Sequence, residues 1–114
     1  MNKIKQKKIC FDLDGTLCTT TKDGNYHLAE PIINAINKVN KLYSDGNYII
    51  IFTARYMGIS KGKVSHAYEL GFEQTKQQLK SWGLKYNELI FGKPEYDIVY
   101  DDKSFNYSDN WINL

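Results

Sequence analysis

Residues 48–52 form an unbroken run of β-branched and aromatic side chains, Tyr-Ile-Ile-Ile-Phe, which constrains the fold more than any other feature of the sequence. A strand that faces water on one side alternates apolar with polar residues. An unbroken apolar run is instead typical of a strand covered on both faces, as in a parallel sheet flanked by helices. The run therefore favours an α/β fold.

Helical patterns lie on either side of this strand in the chain. Apolar residues recur at the 3.6-residue spacing over 32–43, just after Pro31, and Gly46 is the expected C-terminal cap. A second helix is predicted from about residue 65 to 82, and Gly71 in its middle is expected to split or loosen it.

Three shorter apolar segments are predicted to be strands. They cover residues 9–11, in a run that begins near Ile4, then 89–91 and 98–100. The resulting order of strand, helix, strand, helix, strand, strand predicts a Rossmann-like open, mostly parallel sheet in three layers with helices on both faces. Residues 1–114 are interpreted as a single domain whose polar tail docks on the surface.

Charge and cysteine content limit the expected partners and compartment. Fifteen basic and 13 acidic side chains give a formal net charge of +2, and no basic stripe indicates a nucleic-acid partner. No apolar run is long enough to cross a bilayer, and no apolar segment follows the lysine-rich start as it would in a secretory signal. Cys10 and Cys18 are expected to be free thiols in a reducing cytoplasm.

Polar side chains follow each predicted strand at the point where the strand ends. In an open α/β sheet the ligand site lies beyond the carboxyl ends of the strands, so these side chains are expected to share one site. The set consists of Asp12, Asp14, Gly15, Thr53, Lys93, Asp101 and Asp102.

The chemistry of this set predicts a phosphoryl site. Asp12 and Asp14 are two residues apart, so both point the same way in an extended segment, and packed carboxylates suit a divalent cation such as Mg²⁺. Asp101 or Asp102 would add a further acidic ligand. A lysine, a threonine hydroxyl and the backbone N–H groups around Gly15 would surround a phosphoryl group while a carboxylate attacks phosphorus.

Four segments of the chain resemble the motifs of the haloacid dehalogenase-like (HAD) phosphohydrolases, in the order of that family. Residues 11–17, Phe-Asp-Leu-Asp-Gly-Thr-Leu, look like the first motif, and residues 49–53 look like the second. Lys93 is similar to the third motif, and residues 99–102, Val-Tyr-Asp-Asp, are similar to the fourth. The resemblance extends from about residue 8 to residue 103.

The resemblance implies a role for each matching residue. Asp12 would be the nucleophile that forms an aspartyl-phosphate, and Asp14 would act as general acid and then general base. Mg²⁺ would be held by the Asp12 carboxylate, the backbone carbonyl of Asp14, and Asp101. Thr53 and Lys93 would bind the phosphoryl oxygens.

Asp102 and Arg55 have less certain places in this scheme. Asp102 would support the site through water or by orienting Lys93, while Arg55 would either contact substrate or form an exposed salt bridge. Lys85 is the rival to Lys93, and Asp101 with Asp102 could instead cap a terminal helix.

The intervals between the motifs are too short for the inserted cap domains that most members of this family carry, so the chain looks like a capless member. It is most similar to small phosphatases of capsule and lipopolysaccharide synthesis, which implies a small phosphorylated sugar or polyol as substrate. The loop of residues 19–27, with Asp23-Gly24 at its tip, could supply a partial flap. A homo-oligomer in which a neighbouring subunit covers the open site is an alternative.

Other functions remain alternatives at this point. A nucleotide or nucleic-acid end phosphatase would use the same site on a larger substrate. A phospho-acceptor receiver domain also combines acidic residues, a threonine and a lysine, but its acidic pair precedes the acceptor strand, whereas Asp101 and Asp102 come last here. A catalytically silent binding subunit would not require the complete set of site residues.

Overall fold

Three parallel strands form the centre of the protein. The computed structural model describes residues 6–105, 107–108 and 110–113. Strand β1 is Lys8–Asp12, β2 is Tyr48–Thr53 and β3 is Glu88–Phe91, and they lie side by side in the order β1-β2-β3. The predicted α/β class with a Rossmann-like open sheet is confirmed, while Ile4 lies outside the described residues.

The register of the sheet brings the strand ends together. Asp12 lies opposite Phe52, and Thr53 lies opposite Phe91. Parallel strands all run in the same direction, so their carboxyl ends meet at one edge of the sheet. The predicted site residues Asp12 and Thr53 therefore stand at this edge, and Lys93 follows β3 directly.

Helix α1, Ile33–Ser44, forms as its periodicity predicts. Its apolar stripe places Ala35, Ile36 and Val39 in the core, and Gly46 follows its end with a φ of 99°, a conformation that glycine adopts without a steric penalty. Pro31 precedes the helix by two residues and pairs with Cys18 in an isolated β-bridge instead of opening the first turn.

Helix α2 is continuous over Val64–Ser81, so the expectation that Gly71 would split it is wrong. Gly71 is buried, and a Cβ at this position would overlap the ring of Tyr56. The ring is fixed there because its hydroxyl donates a hydrogen bond to Gln74 Oε1 at 2.5 Å. The glycine thus lets an aromatic side chain from the loop after β2 approach the helix.

The core lies between the sheet and the helices. Ile49 and Ile51 of β2 are fully buried and belong to one cluster with Val39 of α1 and Leu79 of α2. Both helices therefore pack on the face of the sheet that these isoleucines occupy. Two right-handed crossovers that proceed in the same direction along a sheet place their helices on the same side. The described residues thus contain no long helix on the second face, where one was expected.

The predicted strand at residues 98–100 is wrong. Ile98, Val99 and Tyr100 are not in a strand, and they are 72%, 53% and 93% exposed. Only residues 92–97 connect β3 to this segment. A parallel strand requires a crossover of about a dozen residues or more, so this connection is too short to return the chain to the start of another parallel strand.

The predicted docking of the tail is confirmed only in part. A 3₁₀ turn at Trp111–Asn113 contacts α1, and the Trp111 ring lies 5.9 Å from that of Phe11. Phe105 and Tyr107 are instead exposed. Among the helices of the described ranges, none combines the length and apolar character needed to span a membrane.

The close contact between Tyr56 and Gly71 predicts whether a substitution at Gly71 stabilises or destabilises the protein. Alanine at a helical glycine normally stabilises a helix by about 1 kcal/mol. We expect Gly71→Ala to destabilise the protein instead, because overpacking costs roughly 1–3 kcal/mol. Urea unfolding measures the change. In a Tyr56→Ala background the same substitution should become stabilising, and a stabilising effect with Tyr56 in place would show that this contact is not tight.

Candidate active site

A cavity of about 670 Å³ opens at the carboxyl edge of the sheet. Three segments line it: the chain after β1 with Asp12, Asp14 and the loop around Asp23, the chain after β2 from Ala54 to Ile59, and the chain after β3 from Lys93 to Tyr96. The cavity thus lies where polar side chains were predicted to gather.

Asp12 is paired with Lys93 across the cavity. The Lys93 ammonium lies 3.0 Å from Asp12 Oδ1, and Lys93 N–H donates to the carbonyl of Thr53 at 3.2 Å, which ties the loop after β3 to the end of β2. Burial lowers the pKa of Lys93, but its hydrogen bonds with Asp12 and Tyr96 outweigh that effect and raise the pKa above its usual value. Lys93 therefore stays protonated beside the nucleophile candidate, the position for which it was preferred to Lys85.

Asp14 is held by Arg55. The guanidinium donates from Nε to Asp14 Oδ2 and from Nη2 to Asp14 Oδ1, both at 2.9 Å, in the two-point geometry that is specific to arginine and a carboxylate. The Arg55 side chain is 1% exposed and that of Asp14 is 22% exposed. The alternative of an exposed salt-bridging arginine is therefore wrong, while a contact with substrate stays a prediction.

Thr53 stands at the end of β2 and Gly15 follows Asp14, and each makes a hydrogen bond within the protein. Thr53 is 1% exposed, and its Oγ1 accepts the N–H of Arg55 at 3.1 Å. Gly15, with a φ of 88°, donates its N–H to the carbonyl of Cys18 at 2.8 Å within the turn after β1. Neither is among the described residues that line the cavity, and the expected N–H cradle at Gly15 is occupied by the turn itself.

Asp101 and Asp102 are not brought to the cavity. Both are exposed, and Asp101 is engaged locally, where its Oδ1 accepts the N–H of Lys103 at 2.9 Å. Among the described residues, no third His, Cys, Asp or Glu joins Asp12 and Asp14 in a metal-sized cluster. The predicted ligand set with Asp101 therefore does not assemble in this structure, because residues 98–100 form no strand beside the sheet.

The donors that remain still fit one class of magnesium site. Mg²⁺ keeps several waters and is often bound through one or two carboxylates together with substrate phosphate oxygens. Asp12 has its side chain 37% exposed at the cavity, so its carboxylate can serve such an ion. The chemistry of the site thus fits Mg²⁺ bound jointly with a phosphorylated substrate.

Two tyrosines that were not predicted from the sequence form one wall of the cavity. The rings of Tyr26 and Tyr56 lie 4.8 Å apart, and the Tyr26 hydroxyl accepts the N–H of Tyr56 at 3.3 Å. Tyr56 has a φ of 65°, which is strained for a side chain of this size and marks a backbone held by its surroundings. The loop of residues 19–27 was expected to form a partial flap, and it lines the cavity through Thr20, Thr21, Asp23, Gly24 and Tyr26.

Acidic residues at the cavity rim were also not predicted. Asp23 and Glu95 line the cavity and are exposed, together with Tyr96, whose ring lies 5.4 Å from the Lys93 ammonium. Asp12 and Asp14 are each paired with a cation, so these two rim carboxylates leave the mouth of the cavity negative. No pattern in the sequence distinguishes a rim carboxylate from any other surface carboxylate.

Comparison with known proteins supports the fold but gives no information on the chemistry of the site. No family model matches the chain, and no curated protein matches it. The chain is similar to a crystal structure of a structural-genomics target from Vibrio cholerae, with a TM-score of 0.79 and 26% sequence identity. The alignment covers 95% of this chain and 94% of that chain, and the description of that protein states no function.

The environment of Cys18 predicts selective thiol chemistry. Both cysteines are free, but Cys10 is exposed and Cys18 is buried. Burial, with the neighbouring Asp14 charge, raises the pKa of Cys18 to about 12. At about pH 8 we therefore expect iodoacetamide to modify Cys10 and to spare Cys18 until the protein is unfolded, since the thiolate is the reactive form. Peptide mass spectrometry before and after unfolding measures this, and rapid native labelling of Cys18 would contradict the buried placement.

Proposed function

We propose that the protein is a Mg²⁺-dependent phosphomonoesterase that works through an aspartyl-phosphate on Asp12. One observation carries the proposal: two carboxylates two residues apart face one cavity, and each is paired with its own cation, Asp12 with Lys93 and Asp14 with Arg55. The resemblance of the four segments to haloacid dehalogenase-like phosphohydrolases agrees with this assignment of a nucleophile and a proton donor.

The first half of the reaction joins Asp12 to phosphorus. The Asp12 carboxylate attacks the phosphoryl group while the bond from phosphorus to the ester oxygen breaks. The Lys93 ammonium, which lies beside Asp12, offsets charge on the phosphoryl oxygens. Asp14 donates a proton to the leaving oxygen, so the alcohol departs neutral.

The second half returns the enzyme to its starting state. Asp14, now a carboxylate, removes a proton from a water that attacks phosphorus and breaks its bond to Asp12. Phosphate leaves, the Asp12 carboxylate is regenerated, and Asp14 again carries the proton that the next cycle needs. Asp12 would hold Mg²⁺, and such an ion would supply positive charge near the phosphoryl oxygens.

The proposed substrate is a small phosphorylated sugar or polyol, a precursor of a surface polysaccharide. A cavity of about 670 Å³ is of the size that holds a small ligand. Asp23 and Glu95 make the rim negative, which disfavours nucleic-acid ends and other polyanions. The sugar and polysaccharide assignment rests on the family resemblance, and a cytoplasmic location is proposed because both cysteines are free thiols.

Asp12→Asn tests the reaction class. We expect Mg²⁺-dependent phosphate release from sugar and polyol phosphates to fall by at least about 10³-fold, because an amide cannot form the covalent intermediate. Phosphate release with and without Mg²⁺ over a panel that includes nucleoside monophosphates gives the measurement. Asp45→Asn is the matched control, since Asp45 pairs with Lys41 on the surface at the end of α1. Unchanged hydrolysis by Asp12→Asn would exclude the mechanism.

The rim charge predicts a preference between substrates of similar size. Glycerol 3-phosphate and 3-phosphoglycerate differ in a carboxylate on the leaving group. We expect kcat/KM to be roughly tenfold higher for glycerol 3-phosphate than for 3-phosphoglycerate. The combined Asp23→Asn and Glu95→Gln substitutions should reduce this ratio of kcat/KM values by roughly threefold to tenfold, because exposed charges contribute modestly. Salt should reduce the ratio in the same direction. A ratio unaffected by both changes would show that the rim does not select substrate charge.

A further inference from the structure

We infer that Arg55 is a positioning residue that fixes the carboxylate of Asp14 for proton transfer, and that it does not bind the phosphoryl group. The inference rests on the proposed function, in which Asp14 moves the proton, and it assigns the arginine a task that differs from the expected substrate contact. Its basis is the complete set of contacts around one buried guanidinium.

Every N–H of the Arg55 guanidinium has a protein acceptor. An arginine carries five such donors. Nε and one Nη2 proton go to Asp14, and Nη2 also lies 3.8 Å from the Cys18 sulfur. Nη1 donates to Gln78 Oε1 at 2.6 Å and to Thr75 Oγ1 at 3.3 Å. No N–H of Arg55 is left to donate to a phosphoryl oxygen. In this respect Arg55 differs from Lys93, which is expected to bind the phosphoryl group.

The side of the Arg55 guanidinium away from Asp14 is held by two segments, helix α2 and the loop around Tyr26. Gln78 of α2, which accepts from Arg55, donates its own amide N–H to the carbonyl of Tyr26 at 2.9 Å. The Tyr26 ring lies 4.9 Å from the guanidinium carbon. Helix α2 and the loop around Tyr26 thus fix the position of Arg55, and Arg55 in turn fixes Asp14.

The two-point contact fixes more than the position of the Asp14 carboxylate. A single hydrogen bond allows the carboxylate to rotate about it, whereas two parallel bonds set the carboxylate plane. Asp14 keeps 22% of its side chain exposed, at the cavity that it lines. The arrangement therefore holds the Asp14 carboxyl group in a fixed orientation at the cavity, which is the geometric demand of a group that, when protonated, acts as a general acid.

The inference is tested by the effect of Arg55→Lys on two esters whose leaving groups differ in their need for a proton. Lysine keeps the charge but loses the fork, so the Asp14 carboxylate is no longer fixed in its plane. The test compares glycerol 3-phosphate, whose alkoxide needs a proton to leave, with p-nitrophenyl phosphate, whose phenolate does not. The quantity is kcat/KM, because it includes only the steps up to phosphoryl transfer onto Asp12, and the later use of Asp14 as a base affects both esters alike.

We expect Arg55→Lys to lower kcat/KM for glycerol 3-phosphate by roughly tenfold to a hundredfold and for p-nitrophenyl phosphate by less than about threefold. In an Asp14→Asn background the same substitution should have no further effect on the glycerol ester, since Arg55 acts through Asp14. Asp45→Asn, which changes a surface carboxylate that pairs with Lys41 outside the site, is the control and should leave both values within about threefold. Equal losses on both esters in Arg55→Lys would overturn the inference, because phosphoryl binding or a general structural role predicts them.

A second measurement needs no turnover. In ¹⁵N-labelled protein the Arg55 Nε–H should give a resonance in slow exchange with water, and Asp14→Asn should shift it and speed its exchange. An Nε–H that exchanges as fast as that of an exposed arginine would overturn the inference even if the enzyme is active. If the wild-type protein shows the protected resonance but releases no phosphate, the proposed function fails while the Arg55–Asp14 clamp stands, and its role in proton transfer is overturned with the reaction.

Discussion

The arrangement of the site depends on the ion pair between Arg55 and Asp14. An arginine whose side chain is 1% exposed is stable only when its charge is compensated and its N–H groups have acceptors, because removing one buried partner leaves an uncompensated charge. Asp14, Thr75, Gln78 and Cys18 provide those acceptors. The chain after β1 is in this way bonded to the chain after β2 and to α2, so two of the three segments that line the cavity are joined through one charged group.

The parallel sheet explains how so few residues can build this site. Asp12 and Phe52 are register partners, and β1 ends at Asp12 while β2 ends one residue later, at Thr53. A single turn after β1 carries Asp14 to the Arg55 side chain, and the short connection after β3 carries Lys93 to Asp12. Both ion pairs, between residues about 40 and 80 positions apart in the chain, are therefore formed by residues at or just beyond the strand ends.

Sequence patterns predict the parts of the protein that depend on local periodicity and strand ends. They predict β2, α1 and the placement of Asp12 and Lys93 at one cavity, because apolar runs and the polar residues after them are local features. Residues 98–100 have the pattern of a strand, but pairing depends on a crossover length that apolarity does not encode. The expected split at Gly71 and the alternative of an exposed Arg55 salt bridge were wrong for the same reason: the roles of these residues depend on Tyr56 and Asp14, which are distant in the chain.

The two ion pairs remove the need for a metal ion to relieve repulsion between Asp12 and Asp14. Clustered carboxylates were expected to require a divalent cation to relieve their repulsion, but Lys93 and Arg55 already neutralise Asp12 and Asp14 one for one. The pair, when both carboxylates are ionised, is thus electrically balanced, and additional positive charge is needed only when a phosphoryl dianion joins it. In the proposed reaction Mg²⁺ would therefore accompany the phosphorylated substrate, which would supply oxygen ligands that this cavity does not itself complete.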